Sequence, residues 1–286
     1  MERSPPLDLA QRGHSERLSR TRYDEAMNLP DSGNLAGEDS EAWQGGKRIA
    51  FFGGSFDPPH LGHLAVARAA RAAFRLDTVL FAPVGAQPLK PEGSTASFEH
   101  RLAMTRLAIE GVAGFAISLA DAPKPAGDGS LVPNYTIDTL EGLRATLKPD
   151  CMLYCLMGAD SFFGLRRWHR AAEIPFVAPM IVASRPRQPL DGLKAALPQG
   201  LTLEPTPDGA KTESGVELRA FFLVNAAGDR TPFYVLPGLD VEISASEIRR
   251  GIRAQIRDAS GNQAAGRALL PAAVLEYIAE HELYCA

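Results

Sequence analysis

Eleven consecutive residues hold the side chains best suited to chemistry: Gly53-Gly54-Ser55-Phe56-Asp57-Pro58-Pro59-His60-Leu61-Gly62-His63. Two glycines permit a tight turn and a close backbone approach to a ligand. The amides of Gly53 and Gly54 can face an anion. His60 and His63 stand three apart at the start of what reads as a helix, so both rings fall on one side of its first turn. The helix N-terminus adds positive potential and free N–H groups, and Gly62 leaves room for a ligand against the backbone. Together these residues make a phosphate cradle with two polarisable donors. Zinc is the competing use of a histidine pair. No Cys or carboxylate stands at a familiar third-ligand spacing, so no metal ligands are assigned. Asp57 precedes two prolines and reads as a cap of the turn.

A second cluster stands near the other end of the chain, in Ile243-Ser244-Ala245-Ser246-Glu247-Ile248-Arg249. Ser244 or Ser246 can cap a new helix, with Glu247 in its first turn. Taken alone, this is an ordinary N-cap beside an exposed arginine. Hydroxyls, free amides and Arg249 at one helix start also suit a polyphosphate.

Both clusters need elements to position them. Lys47–Phe52 predicts a buried strand ahead of the first loop, and the Ala- and Arg-rich run from Leu61 predicts a helix after it. Further strands are predicted at 78–83, 115–118, 152–157 and 180–183. Helices are predicted at 97–112, 135–147, 161–172, 246–257 and 271–281. This alternation predicts an α/β fold with a doubly wound parallel sheet. In such sheets ligands sit outside the carboxyl ends of the strands, near the switch point. Residues 186–232 carry six prolines and read as an irregular embellishment of a domain spanning 47–286. A hairpin is predicted there, with strands at 217–224 and 231–236 around a turn at 226–229.

Composition narrows the function classes. The chain has 286 residues, 45% hydrophobic and 22% charged, enough for a packed core and too apolar for a wholly disordered chain. Residues 1–46 hold 5 Arg, no Lys and 9 acidic residues, and so carry −4; the other 240 residues balance at 25 basic and 25 acidic. A neutral domain argues against a nucleic-acid partner bound through bulk charge. Residues 1–46 lack any sustained apolar period and read as a disordered N-terminal extension or an over-extended start. No window approaches the run of about 18 apolar residues that a membrane helix needs, so no membrane partner is expected. Three cysteines cannot make a disulfide framework, which fits a cytoplasmic setting.

With a strand before it and a helix after it, the first segment resembles the H-x-G-H signature of the nucleotidyltransferase superfamily. Its G-G-S-F-D-P-P-H form resembles the adenylyltransferases of cofactor synthesis. Ile243–Arg249 is similar to the I-S-S-T-x-I-R signature with which that superfamily holds the β- and γ-phosphates of ATP. Ala245 and Ser246 replace Ser and Thr, and Ser246 keeps the hydroxyl. Three more segments resemble the nicotinate-nucleotide adenylyltransferases. Asn134-Tyr135-Thr136-Ile137-Asp138-Thr139-Leu140 resembles their S-Y-T-x-x-T-L, Gly158-Ala159-Asp160-Ser161 their G-x-D-S, and Trp168-His169 their Trp-Tyr. The closing L-P-x-x-V-x-x-Y-I also matches. The chain departs from the pattern at His169 and in the Pro/Gly-rich stretch 121–129.

The resemblance implies a Rossmann-like nucleotidyltransferase fold. It implies transfer of the adenylyl group of ATP to nicotinate mononucleotide, giving deamido-NAD and pyrophosphate in NAD biosynthesis. His60, His63, Arg249 and Lys90 would be the catalytic residues. Gly53, Gly54, Ser55, Phe56, Gly158, Asp160, Ser244 and Ser246 would bind ATP, whose phosphates Mg²⁺ would bridge. Tyr135, Thr136, Trp168 and His169 would bind the acceptor, with Trp168 stacked on its pyridine ring. The alternatives are an acceptor such as nicotinamide mononucleotide or phosphopantetheine, or a nucleotide sensor that does not catalyse. The oligomeric state stays open, a homo-oligomer included.

Overall fold

The computed structural model describes residues 47–90, 92–184, 190–206, 218–236, 243–257 and 269–285. The N-terminal extension expected at 1–46 lies outside them. Strand β1 (Arg48–Gly54) is buried on both faces and pairs in parallel with β2 (Thr78–Pro83) and β6 (Met152–Gly158). Its residues alternate between two packed layers. Ile49 and Phe51 belong to a core shared with Ile137, Leu140 and Phe162, while Phe52 packs edge-on against Phe56 and Phe81. The apolar run Ile49–Phe52 is what burial on both faces requires.

The full sheet has eight strands in the order β3-β2-β1-β6-β7-β10-β9-β8. Here β3 is Phe115–Ile117, β7 Met180–Ala183, β8 Thr202–Pro205, β9 Arg219–Val224 and β10 Arg230–Leu236. The run from β3 to β10 is parallel throughout, whereas β9 is antiparallel to both of its neighbours. The α/β expectation therefore meets a mostly parallel sheet with an antiparallel edge. The predicted hairpin is present as β9 and β10, and β10 continues the parallel sheet from β7. The stretch 186–232 thus supplies β8, β9 and the start of β10. The strand order reverses between β1 and β6, which makes their carboxyl ends the switch point.

Helix α1 (Leu61–Phe74) follows β1, α2 (Phe98–Ile109) follows β2, and α3 (Thr136–Thr146) precedes β6. The oxygen of Ser97 accepts from the His100 N–H at 3.4 Å and caps α2, as its sequence predicts. A small antiparallel pair, β4 (Lys124–Pro125) and β5 (Leu131–Val132), fills the 121–134 connection. The helix predicted at 161–172 is not continuous. Its place is taken by the end of α4 (Ala159–Phe163) and a 3₁₀ turn at Leu165–Arg167, residues 168–172 form a bend and turns, and α5 (Ile174–Val177) follows. Gly164 stops α4, Trp168 is extended at ψ 150°, and Arg170 turns left-handed at φ 48°. The described remainder comprises α6 (Leu190–Ala196), α7 (Ala245–Arg257) and α8 (Ala272–Glu280). No helix among the described residues is long and apolar enough to cross a membrane.

Candidate active site

The two clusters singled out in the sequence meet at the carboxyl end of β1. His60 is the N-cap of α1, in extended backbone, and its N–H donates to His63 Nδ1 at 3.2 Å. The two imidazoles stack with centroids 3.7 Å apart. Phe56 lies edge-on to His63 at 5.0 Å. Phe56 is only 1% exposed, so its ring belongs to the core beneath the histidines. Gly62 is required by close approach: a Cβ there would lie 3.0 Å from His60 Nδ1 and 3.4 Å from the Cβ of Ile243. A glycine in α1 thus admits the start of the second cluster against the first.

Burial sets the protonation of the pair. Desolvation holds His60 down at about 4, and desolvation followed by repulsion from His60 holds His63 well below its ordinary value. Both rings are neutral at pH 7. Because His63 Nδ1 accepts the His60 N–H, the neutral His63 ring carries its proton on Nε2 as a donor. A depressed histidine pKa makes stability depend on pH. Between pH 6.5 and 4 the unfolded chain binds a proton that the folded chain refuses, so stability falls as pH falls through that window. From His60 alone the loss between pH 7 and pH 5 is about 2 kcal/mol. Urea midpoints of the wild type and His60→Gln at the two pH values measure it, and equal pH dependence would refute it.

Arg249 comes to the same loop from α7. Its Nη1 donates to the backbone oxygen of Asp57 at 2.5 Å and stands 3.8 Å from the Asp57 carboxylate. Its Nη2 donates to Ser246 Oγ at 3.2 Å. Ser244 precedes α7, and its carbonyl accepts the Ile248 N–H. Lys90 Nζ donates to Ser55 Oγ at 3.1 Å, and Gln87 Nε2 reaches the same oxygen at 2.9 Å. Desolvation first, and then the nearby Arg249 charge, push the Lys90 pKa down, while Asp57 pulls it the other way.

Two residues outside the predicted site, Asp57 and Arg101, hold this loop. Asp57 is more than a turn cap: its carboxylate accepts the N–H groups of Thr95 at 2.7 Å and Ala96 at 3.1 Å. Arg101 on α2 is 2% exposed, and its guanidinium donates to the carbonyls of Ser55 at 2.7 Å, Val84 at 2.8 Å and Ala96 at 3.3 Å. The sequence held a signal for Arg101. It shares a helical face with Thr105, Ala108 and Ile109, all buried.

A cleft of about 700 Å³ opens at the switch point. Gly53, Gly54, Ser55 and Lys90 line one part, and Tyr135, Thr136, Trp168 and His169 line another, with Asp160 also in the wall. His60, His63 and Arg249 do not line it. Trp168 has two surfaces: it packs on the main core and also faces the cleft. The Tyr135 and His169 rings lie 4.4 Å apart. Gly158 caps α4, which places Asp160 in that helix's first turn.

Asn134 joins the two parts of the cleft. Its Oδ1 accepts the Ala86 N–H at 2.8 Å, and its Nδ2 donates to the Ala122 carbonyl at 3.1 Å. Gly85 permits this contact, since a Cβ there would lie 2.5 Å from Pro123 N. Asp121, buried at the cleft floor beside Gly53, accepts from Thr139 Oγ1 at 2.6 Å, and burial raises its carboxyl pKa.

Comparison with known proteins agrees with this geometry. A cytidylyltransferase-like family model matches residues 51–251. The chain is 34% identical over 239 residues to the "Probable nicotinate-nucleotide adenylyltransferase" of Gloeobacter violaceus, covering 84% of this chain and 97% of that one. It is 36% identical over 241 residues to the protein of the same name from Thermomicrobium roseum, covering 83% and 91%. Among solved structures, the fold matches Plasmodium falciparum nicotinic acid mononucleotide adenylyltransferase complexed with NaAD. That match has a TM-score of 0.55 and 15% identity, and covers 83% of this chain and 97% of that one. A cation-rich loop beneath a switch-point cleft and relatives matched along nearly their whole length lead to one assignment: the chain belongs to the cytidylyltransferase-like family and, within it, to the nicotinate-nucleotide adenylyltransferases.

Proposed function

We propose that this chain transfers the adenylyl group of ATP to nicotinate mononucleotide, forming deamido-NAD and pyrophosphate. The observation that carries the reading is the single cleft that joins Gly53, Gly54, Ser55 and Lys90 to Tyr135, Thr136, Trp168 and His169. One part is rich in N–H donors and positive charge, and the other is aromatic.

A 5′-phosphate oxygen of the acceptor attacks the α-phosphorus of ATP in line. The new O–P bond forms as the Pα–O bond to pyrophosphate breaks. The attacking phosphate is already anionic at pH 7, so no strong general base is needed. Catalysis is then positioning and charge stabilisation. His60 and His63 act as neutral donors toward the α-phosphate, His63 through Nε2–H. Arg249, Ser246 and Ser244 hold the departing pyrophosphate, and Lys90 reaches it from the Ser55 side. The glycine-rich turn brings its amides to the phosphates, and any Phe56 contact is through its backbone. Gly158 and Asp160 border the adenosine. Trp168 offers its cleft face to the pyridine ring, and the start of α3 at Tyr135-Thr136 offers free N–H groups to the ring carboxylate. Mg²⁺ arriving with ATP would be held chiefly by the nucleotide and would supply charge neutralisation to its phosphates, beside the cations Lys90 and Arg249.

Pyrophosphate release from ATP and Mg²⁺ tests this, with nicotinate mononucleotide and nicotinamide mononucleotide compared in parallel. The acid is expected to be preferred by about tenfold or more in kcat/KM, the worth of a charge-assisted hydrogen bond. Equal or amide-preferring turnover would overturn the acceptor assignment and leave adenylyl transfer standing. No release with either would overturn the pyridine-nucleotide acceptor and point to another phosphorylated acceptor or to a nucleotide sensor.

A further inference from the structure

We propose that Tyr284, in the segment after α8, is a positioning residue for adenylyl transfer: its hydroxyl, bonded to Asp57, fixes the loop bearing His60 and His63 and the seat of Arg249. The inference rests on the adenylyl-transfer reading above.

Tyr284 Oη donates to Asp57 Oδ1 at 2.8 Å in a buried bond between residues 227 positions apart. The Asp57 carboxylate then has a full set of partners: Tyr284, the N–H groups of Thr95 and Ala96, and the Arg249 guanidinium. The Asp57 carbonyl is itself the acceptor of Arg249 Nη1. One residue therefore seats the arginine with two of its groups, and Tyr284 sets the orientation of one of them. Three residues further along the chain begins the histidine pair.

The backbone around Tyr284 is bent to make this contact. Glu282 and Tyr284 both adopt left-handed φ, at 49° and 67°. Such conformations at non-glycine residues persist where the surroundings over-determine them. Here the bend turns the ring inward to 6% exposure. A ring needed only for packing would be served by phenylalanine, because a buried hydroxyl must find a partner. Burial, and then Asp57, raise the Tyr284 pKa, so the phenol stays a donor. A phenol also adds no charge to a loop that already gathers Lys90, Arg101 and Arg249.

The test is Tyr284→Phe in the full chain, with inorganic pyrophosphate as product inhibitor. The expected result is a kcat about tenfold lower and an inhibition constant for pyrophosphate about tenfold higher. The KM for nicotinate mononucleotide should stay within about twofold. A purely structural role would lower the folded fraction and hence kcat, but an inhibition constant does not depend on that fraction. Combining Tyr284→Phe with Asp57→Asn should be no worse than Asp57→Asn alone, since both act through one carboxylate. An unchanged inhibition constant, or additive losses in the double variant, would overturn the proposal. If Tyr284→Phe does not fold, an unchanged constant in Asp57→Asn would overturn it equally. If the wild type forms no deamido-NAD, the functional reading fails first. Calorimetric binding of pyrophosphate to wild type and Tyr284→Phe then still decides the coupling.

Discussion

Alanine in place of His63 is expected to lower kcat by about 100-fold or more, the loss typical of one transition-state donor. The His63 ring is held for this role from three sides. His60 N–H fills its Nδ1, the His60 ring stacks on it at 3.7 Å, and Phe56 supports it at 5.0 Å. What is left free is Nε2–H. Removing the ring deletes that donor and leaves the His60 N–H without its acceptor. Single-turnover pyrophosphate release at saturating ATP and nicotinate mononucleotide measures the effect, and a near-wild-type rate would remove the role. The free enzyme should also show no limb in kcat/KM near pH 6.5, because both imidazoles are held neutral well below it. A limb there that vanished in His63→Ala would assign the work to the charged ring instead.

The parts of this site that could be read in the sequence are those whose partners are local. Gly53 to His63 stand between a strand and a helix that their own periodicity predicts, and Ser244 and Ser246 stand at a helix start. The switch-point location follows from strand–helix alternation alone. What was missed depends on distant partners. Asp57 looks like a turn residue because its neighbours are prolines, yet its carboxylate is committed to residues 95, 96 and 284. Residues 161–172 have helix-compatible composition and so predict one helix, where the structure breaks after α4. Gly164 was the weak point, and the break there lets Trp168 and His169 face the cleft. Arg170 then binds Glu141 of α3 and Glu173 at once, tying that wall to the helix that begins at Thr136. No local pattern announces such a clamp. The stretch 121–129 shows the same limit. Its prolines and glycines say loop, but β4 and β5 pair across it, and Asn134 fastens its base to residues 86 and 122.

Arg101 is where these long-range partners converge, and Arg101→Met is expected to destabilise the protein by about 3 kcal/mol or more. The guanidinium gives its donors to three carbonyls on separate segments, at Ser55, Val84 and Ala96. Its charge also faces Asp57, which counters the burial that lowers its pKa. Methionine fills much of the space but leaves three carbonyls without donors and the buried carboxylate short of positive charge. Lysine is expected to rescue little, because a single ammonium cannot reproduce a planar fork that reaches three acceptors. For a chain of this size the loss corresponds to a Tm lower by about 6–12 °C. The Ser55 carbonyl lies in the turn that cradles the phosphates, so the KM for ATP should rise in either variant while still folded. Urea midpoints and ATP titrations of Arg101→Met and Arg101→Lys measure both effects. A change below about 1 kcal/mol in both variants would mean that Asp57 and the turn's own hydrogen bonds hold the loop without the arginine.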